Sequence, residues 1–321
     1  MLPFRGAFAR GVRSLAGCDV SVGSALEKRL FGEDSTLADA RRYASEGAPS
    51  SGVPDTSEYL RSMFDLSGNV AFVSGCSRGI GRQTCLALAR AGADVMVTDH
   101  SEKERGMCET LVDEIQALGR RSASAVCDVR YQDSVTEALQ HCKEELGLVS
   151  IMCANAGIFG NTRQPEDLNE DDWRNIFATN TDGVFYCCRA AFPHFRERNR
   201  GKVVIMSSVA SMIGHGRLPA FSSSKGALIP LAKALATSWA RYNIQVNCVL
   251  PGVVETEVAS PFLDFNNNKQ QPDSDKIPAG RLAKPEDLQG AILYFASSAS
   301  DYCTGAQLVV DGGLSSNAFG G

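Results

Sequence analysis

The chain has 321 residues, 44% of them hydrophobic and 21% charged, with a formal net charge of −5, which fits one large α/β domain or two small ones. It has no basic run and no apolar stretch near the ~18 residues that a membrane-spanning helix needs, so we expect neither a nucleic-acid nor a membrane partner. Its 11 cysteines lack ligand spacing, which predicts reduced, mostly buried thiols and no metal site.

Residues 1–65 are predicted to be an N-terminal extension of the domain. The first 18 residues carry three arginines, with apolar residues between them, and no acid precedes Asp19. This composition is typical of an organelle transit peptide, with a mitochondrial destination favoured over a plastid one; the alternative is an ordinary tail on a cytoplasmic protein. Residues 26–43 could form a short charged helix, and residues 48–56 have the composition of a linker.

The most informative stretch is an apolar run over 70–73, followed by a loop with glycine at positions 75, 79 and 81 and an amphipathic helix over 82–91. A strand, a glycine loop and a helix in this order bind a dinucleotide pyrophosphate. Glycine lets the backbone approach the phosphates, and the helix N-terminus offers unpaired N–H groups and a positive dipole end. The glycines follow the spacing Gly-x-x-x-Gly-x-Gly rather than the commoner Gly-x-Gly-x-x-Gly.

Apolar strands and amphipathic helices alternate along the whole predicted domain, 66–316. Strands are predicted over 70–73, 93–98, 123–126, 149–154, 202–206, 245–249 and 308–310. Further helices are predicted over 101–118 with a Ser101–Glu104 capping box, 134–146, 171–198, 221–242 with a kink at Pro230, and 288–296. This alternation predicts a single doubly wound (Rossmann) α/β domain with a seven-stranded parallel sheet, followed by a C-terminal tail at 317–321.

Several motifs occur in a consistent order: the loop 74–81, with Ser74 where threonine is usual, Asn155-Ala156-Gly157, Pro251-Gly252 with Thr256, and Asp311-Gly312-Gly313. With these motifs, residues 64 to about 316 resemble the single-domain short-chain dehydrogenase/reductases, in particular members similar to ketoacyl reductases and gluconate dehydrogenases. The resemblance implies an NAD(P)(H)-dependent oxidoreductase that interconverts a secondary alcohol and a carbonyl compound. It implies that these residues bind the cofactor: Ser74, Gly75, Ser77, Arg78, Gly79, Ile80, Gly81, Asp99, Asp128, Val129, Asn155, Ala156, Gly157, Lys225, Pro251, Gly252, Val254 and Thr256.

The choice between NAD(H) and NADP(H) depends on two residues. Asp99 ends the predicted second strand, where an acid hydrogen-bonds the adenosine ribose hydroxyls and repels a 2′-phosphate. Arg78 argues the other way, because in relatives a basic residue in the loop can help hold that phosphate. NAD(H) is therefore favoured, with NADP(H) as the alternative. The alternative without a functional role is that Asp99 is a solvated turn residue.

The resemblance implies a catalytic group of Asn, Ser, Tyr and Lys, and three of the four are present as Asn180, Ser208 and Lys225. Phe221 stands at the tyrosine position. In the family, the tyrosine hydroxyl gives a proton to the carbonyl oxygen, while lysine lowers the pKa of that hydroxyl and holds the nicotinamide ribose. Phenylalanine has no proton to give, and such catalysis typically contributes about 10²–10⁴-fold, so we expect little turnover. His215 is a candidate substitute acid, with a pocket-lining or surface histidine as the alternative.

Three interpretations stay open at this point. The chain is an oxidoreductase with another proton source or with a substrate that needs none, a non-catalytic nucleotide-binding protein in assembly or sensing, or an engineered Tyr→Phe variant. We expect a small carbonyl or alcohol substrate in a pocket formed by 158–163, 212–219 and 260–278, where 260–278 is either a ligand-covering loop or a surface insertion. The apolar helices at 171–198 and after 221 predict a homodimer or homotetramer, as in relatives.

Overall fold

The structure is a computed structural model and describes residues 56–257 and 274–316. The predicted targeting segment, the charged helix at 26–43, nearly all of the linker, most of 260–278 and the tail 317–321 lie outside the described residues. Residue contacts divide the chain into two compact units, Met1–Tyr59 and Leu60–Gly321, and the sheet belongs to the second.

In the described residues, seven parallel strands form one sheet, as predicted. The strand order, which was not predicted, is β3-β2-β1-β4-β5-β6-β7. The order reverses at β1, which pairs with β2 on one side and β4 on the other. Open α/β sheets bind ligands at the carboxyl edge beside such a reversal. The strands are β1 Val70–Ser74, β2 Asp94–Asp99, β3 Ser122–Val126, β4 Ile151–Ala154, β5 Gly201–Met206, β6 Ile244–Pro251 and β7 Gln307–Val310.

Helices cover both faces of the sheet because both faces are apolar. Alternate residues of a strand point to opposite faces, so Phe72 and Val73 of β1 enter two different buried clusters. Phe195 packs in the first cluster and Leu88 in the second. The helices are α1 Thr56–Phe64, α2 Gly79–Arg90, α3 Arg105–Ala117, α4 Gln132–Glu145, α5 Glu170–Phe177, α6 Gly183–Arg198, α7 Ala210–Ile213, α8 Pro219–Gly226, α9 Leu228–Trp239 and α10 Gln289–Ala296.

Two of the predicted long helices are interrupted at points that matter for the site. The helix at 171–198 contains a π-helical turn, Ala178–Asp182, between α5 and α6. Such turns frequently mark functional sites, and this one carries Asn180. The helix at 221–242 begins two residues earlier, at Pro219, and divides after Gly226 into α8 and α9. Pro230 has no N–H to give the carbonyl of Gly226, which accounts for the break.

The predicted capping box at Ser101 is wrong. Helix α3 begins at Arg105, and residues 101–104 form a turn instead. The Ser101 hydroxyl donates to the carboxylate of Glu104 rather than accepting from the helix backbone. This turn places the Glu104 carboxylate next to the glycine loop.

The prediction that the cysteines are mostly buried thiols is confirmed for the residues that the structure describes. The ten cysteines in the described residues are free thiols, and nine of them are buried. Burial raises the pKa of Cys142, for example, to about 12, so its thiol is protonated at neutral pH. In the same residues, no helix is long and apolar enough to cross a membrane.

Candidate active site

The glycine loop between β1 and α2 is shaped by contacts between backbone atoms. Gly75 has a φ of +70°. A Cβ added to Gly81 would lie 1.9 Å from the Gly75 carbonyl oxygen and 2.6 Å from Nδ2 of Asn155, so the loop can fold back only with glycine at position 81. Arg78, the residue before α2, has extended backbone and makes no side-chain cap. The first N–H groups of α2 are therefore left for an anion, and a dinucleotide pyrophosphate fits this cradle.

The end of β4 holds this loop in place. Nδ2 of Asn155 donates to the Ser74 and Gly75 carbonyl oxygens, each at 2.9 Å. The Ser74 hydroxyl accepts from the backbone N–H groups of Asn155 and Ala156, each at 3.1 Å. Ser74, Asn155 and Ala156, predicted as cofactor-binding residues, thus hold the loop to β4 through hydrogen bonds.

Asp99 ends β2 beside the same loop. Its carboxylate accepts from the Ser77 N–H at 2.9 Å and the His100 N–H at 2.8 Å, and lies 2.9 Å from Nδ1 of His100. Burial alone would raise the pKa of Asp99, but the hydrogen bonds from Ser77 and His100 outweigh burial and hold the pKa below its ordinary value. Asp99 is therefore a carboxylate at neutral pH.

Arg78 and Asp128, two further predicted cofactor residues, are both ion-paired. Nη2 of Arg78 lies 3.5 Å from Oε1 of Glu104, and Nη1 lies 3.6 Å from Oε2 of Glu257. Asp128, after β3, pairs with Arg130 at 2.6 Å, and hydrogen bonds from Arg130 hold the pKa of Asp128 below its ordinary value. Glu104 was not among the predicted site residues.

The chain after β6 returns towards the loop. Pro251 ends the strand, and a Cβ on Gly252 would lie 2.8 Å from the Asp311 Cα atom. Val254 is buried and bridges to Ala283. Thr256 lies over the loop, since its Cγ2 atom is 3.1 Å from the position of a Cβ on Gly79. The remaining predicted residues, Ile80 and Val129, pack into the two buried clusters.

Asn180 and Lys225 meet beside Gly157. A Cβ on Gly157 would lie 3.0 Å from Nζ of Lys225 and 3.2 Å from Oδ1 of Asn180. Asn180 is fully buried: its Oδ1 accepts from the Ile158 N–H at 2.8 Å, and its Nδ2 donates to the Ile158 carbonyl oxygen at 2.9 Å and to the Ser224 hydroxyl at 3.0 Å. Nζ of Lys225 donates to the Met206 carbonyl oxygen at 2.7 Å, and burial lowers the pKa of Lys225 to about 8.

Phe221, at the position where the resemblance implies a tyrosine, belongs to an aromatic pair. The ring of Phe221, on α8, stacks on Phe159 with centroids 4.5 Å apart and an interplanar angle of 26°. Ser208 follows β5 and is half-buried; its hydroxyl accepts from the Ala210 N–H at 3.1 Å. Phe159 lies in the segment 158–163 that was predicted to line the pocket, but its stacking on Phe221 was not predicted.

The structure leaves His215 exposed in the loop between α7 and α8. Its Nδ1 accepts from the Arg217 N–H at 3.3 Å. Among the contacts of residues 56–257 and 274–316, none joins His215 to Ser208, Phe221 or Lys225. The structure therefore brings Asn180 and Lys225 together and keeps the candidate substitute acid on the surface.

Comparison with known proteins agrees with this architecture. The family model described as Enoyl-(Acyl carrier protein) reductase matches residues 75–315. The 2-dehydro-3-deoxy-D-gluconate 5-dehydrogenase of Escherichia coli (strain K12) is 36% identical over 255 residues, which cover 79% of this chain and 98% of that protein. Sorbose reductase sou1 of Schizosaccharomyces pombe is 33% identical over 261 residues, or 80% of this chain and 100% of that protein. The crystal structure of a gluconate 5-dehydrogenase from Burkholderia cenocepacia J2315 in complex with NADP and tartrate superposes with a TM-score of 0.75 at 33% identity, covering 80% of this chain and 99% of that one.

Proposed function

Because the chain belongs to the short-chain dehydrogenase/reductase family, of the gluconate dehydrogenase type, we propose that it interconverts a secondary alcohol and a carbonyl compound with a nicotinamide cofactor. The observation that carries the proposal is the Lys225 ammonium group, which is buried beside Gly157 and Asn180. The named activities of the relatives support a sugar acid or a sugar as the substrate class.

A nicotinamide cofactor would supply the hydride chemistry. The glycine loop and the N-terminus of α2 would hold its phosphates, and Lys225 would donate hydrogen bonds to its nicotinamide ribose. Ser208 donates its hydroxyl proton to the substrate oxygen as a hydrogen bond. The side chain of Asn180 hydrogen-bonds both Ile158 and Ser224, and so positions the segment after β4 against helix α8.

We propose NAD(H) as the preferred cofactor. The support is the ionised Asp99 carboxylate at the end of β2, which suits free ribose hydroxyls and repels a 2′-phosphate. The relative from Burkholderia cenocepacia was solved with NADP, so the preference needs a direct measurement. Fluorescence titration of the unmodified protein should give a lower dissociation constant for NADH than for NADPH, and the reverse order would contradict this assignment.

We further propose that Phe221 keeps turnover low, because neither its ring nor the stacked ring of Phe159 carries an exchangeable proton. The same observation favours a second candidate function, a nucleotide-binding protein without catalysis that acts in assembly or sensing. A homodimer or homotetramer stays a prediction for either candidate.

The substitution Phe221→Tyr tests the proposal. Phe221 and Lys225 lie four residues apart on α8 and so share one face of that helix. A hydroxyl on the ring at 221 should gain the proton-transfer role, with its pKa lowered by the ammonium of Lys225. We expect NADH oxidation with keto-sugar acids, ketoses and cyclic ketones to rise by about 10²-fold or more, with little change in NADH affinity.

The control variants separate the two candidate functions. Phe159→Tyr adds the same hydroxyl to the other ring of the stack and should give no comparable gain, and Lys225→Ala in the tyrosine background should abolish the gain. A tyrosine form that binds NADH and reduces nothing on the panel would favour the non-catalytic function. Activity already present with Phe221, and lost in His215→Ala, would identify His215 as the acid.

A further inference from the structure

Glu104 is a charged residue with almost no solvent contact. Its side chain is 5% exposed, in the turn between β2 and α3. Its carboxylate accepts a hydrogen bond from the Ser101 hydroxyl, lies 3.5 Å from Nη2 of Arg78, and lies 3.8 Å from Nδ1 of His100. The same ring nitrogen of His100 is 2.9 Å from Asp99. Two carboxylates, Asp99 and Glu104, therefore face one imidazole next to the glycine loop.

The guanidinium of Arg78 is held between a buried and an exposed acid. A buried carboxylate is costly unless a cation and hydrogen bonds compensate it, so Glu104 depends on Arg78. Glu257, the other partner of Arg78, is 75% exposed, and water can replace its ion pair at little cost. Moving Arg78 away from Glu104 would leave a buried carboxylate without its guanidinium, whereas moving it away from Glu257 would not.

We propose that Glu104 determines cofactor specificity by keeping the Arg78 guanidinium in an ion pair, so that this loop arginine is not available to a 2′-phosphate. This inference rests on the proposed dinucleotide binding and deepens it. A 2′-phosphate dianion would have to compete with Glu104 for Arg78 and would meet the charges of Asp99 and Glu104 in a partly dehydrated site. The uncharged ribose hydroxyls of NAD(H) meet neither penalty.

Dissociation constants of NADH and NADPH, measured by fluorescence titration of the full chain, test the inference. Glu104→Gln keeps the shape of the side chain and the hydrogen bond to Ser101 but removes the charge. It should raise the affinity for NADPH relative to NADH by about tenfold. Glu257→Gln is the matched control, since it removes the exposed partner of the same arginine; it should change that ratio by less than about twofold.

A double substitution shows whether the effect passes through Arg78. Arg78→Ala should weaken NADPH binding about tenfold in the Glu104→Gln background and less than about threefold in the unmodified chain. The inference is overturned if Glu104→Gln retains NADH affinity with an unchanged NADPH-to-NADH ratio. A large loss of NADPH affinity from Arg78→Ala alone would also overturn the inference. If Glu104→Gln does not fold, this single substitution of Arg78 decides the question. Failure of the unmodified chain to bind either nucleotide would instead contradict the proposed function.

Discussion

Around β1, the site is held by contacts with the backbone of the loop: the Gly75 carbonyl contacts Gly81, and the Asn155 side chain donates to two loop carbonyls. Around β5, the candidate chemistry depends on single side-chain groups, namely the Ser208 hydroxyl and the Lys225 ammonium. In the first region, a substitution such as Gly81→Ala would change the backbone path of the glycine loop. In the second region the phenyl ring of Phe221 has the outline of the tyrosine ring that the resemblance implies, and it packs on Phe159.

This difference predicts that the proposed nucleotide binding and the proposed proton transfer are separable. The presence or absence of a hydroxyl at position 221 should leave the glycine loop unchanged, because none of the hydrogen bonds described for the loop reaches α8. Asn180 is one link between the regions, since its side chain joins Ile158, after β4, to Ser224 on α8. Substitutions in each region, and at Asn180, therefore test whether the two regions behave independently.

Gly81→Ala should have the largest effect on NADH affinity. Its Cβ would lie 1.9 Å from the Gly75 carbonyl oxygen, a backbone atom that cannot move without opening the loop. We expect NADH affinity in fluorescence titrations to fall by more than about 100-fold, which corresponds to about 2.7 kcal/mol.

Gly106→Ala is the matched control for that substitution. A Cβ on Gly106, in the first turn of α3, would meet nothing within 4 Å among the described residues. Alanine is favoured over glycine in a helix by up to about 1 kcal/mol, so this variant should be neutral or slightly stabilising. Retention of normal NADH affinity by Gly81→Ala would show that backbone contacts do not fix the loop.

Asn180→Ala should destabilise both regions together. It removes three hydrogen bonds from a fully buried site and leaves the Ile158 backbone groups without partners. We expect the free energy of unfolding, from urea denaturation, to fall by about 2–4 kcal/mol. Asn161→Ala, at an exposed position, should change it by less than about 0.5 kcal/mol. If Asn180→Ala lowered the free energy of unfolding by as little as Asn161→Ala, the two regions would not be joined through the Asn180 side chain.

The features predicted correctly from the sequence are those fixed by short-range pattern. Seven apolar runs predicted seven strands, and the spacing of the glycines placed the loop before α2. The errors arose where a side chain has two possible local partners: Ser101 bonds to Glu104 instead of capping a helix. Contacts between distant residues were invisible, as with Arg78 and Glu104, 26 residues apart, or Asn180 and Ser224, 44 residues apart. The stacking of Phe159 on Phe221 was not predicted, because such a contact leaves no periodic signal in the sequence.

The smallest expected effect is a pH dependence of NADH affinity, and it follows from Lys225. Burial lowers the pKa of this ammonium group to about 8. Below that pH the group is charged and can donate to the ribose; above it the free protein holds a neutral amine, which must take up a proton before it binds in the same way. Affinity should therefore fall as pH rises, by about fourfold at pH 8.5 relative to pH 7.

Titrations of NADH between pH 6.5 and pH 9 measure this dependence, with Lys225→Arg as the control. Arginine stays protonated throughout this range, so the variant should bind with an affinity that is nearly constant across the series. Its absolute affinity need not match that of the unmodified chain, because the comparison rests on the slope. An equal slope in both proteins would assign the titration to another group and would remove Lys225 from the ribose contact. A flat profile in the unmodified chain would show that the lysine stays charged despite its burial.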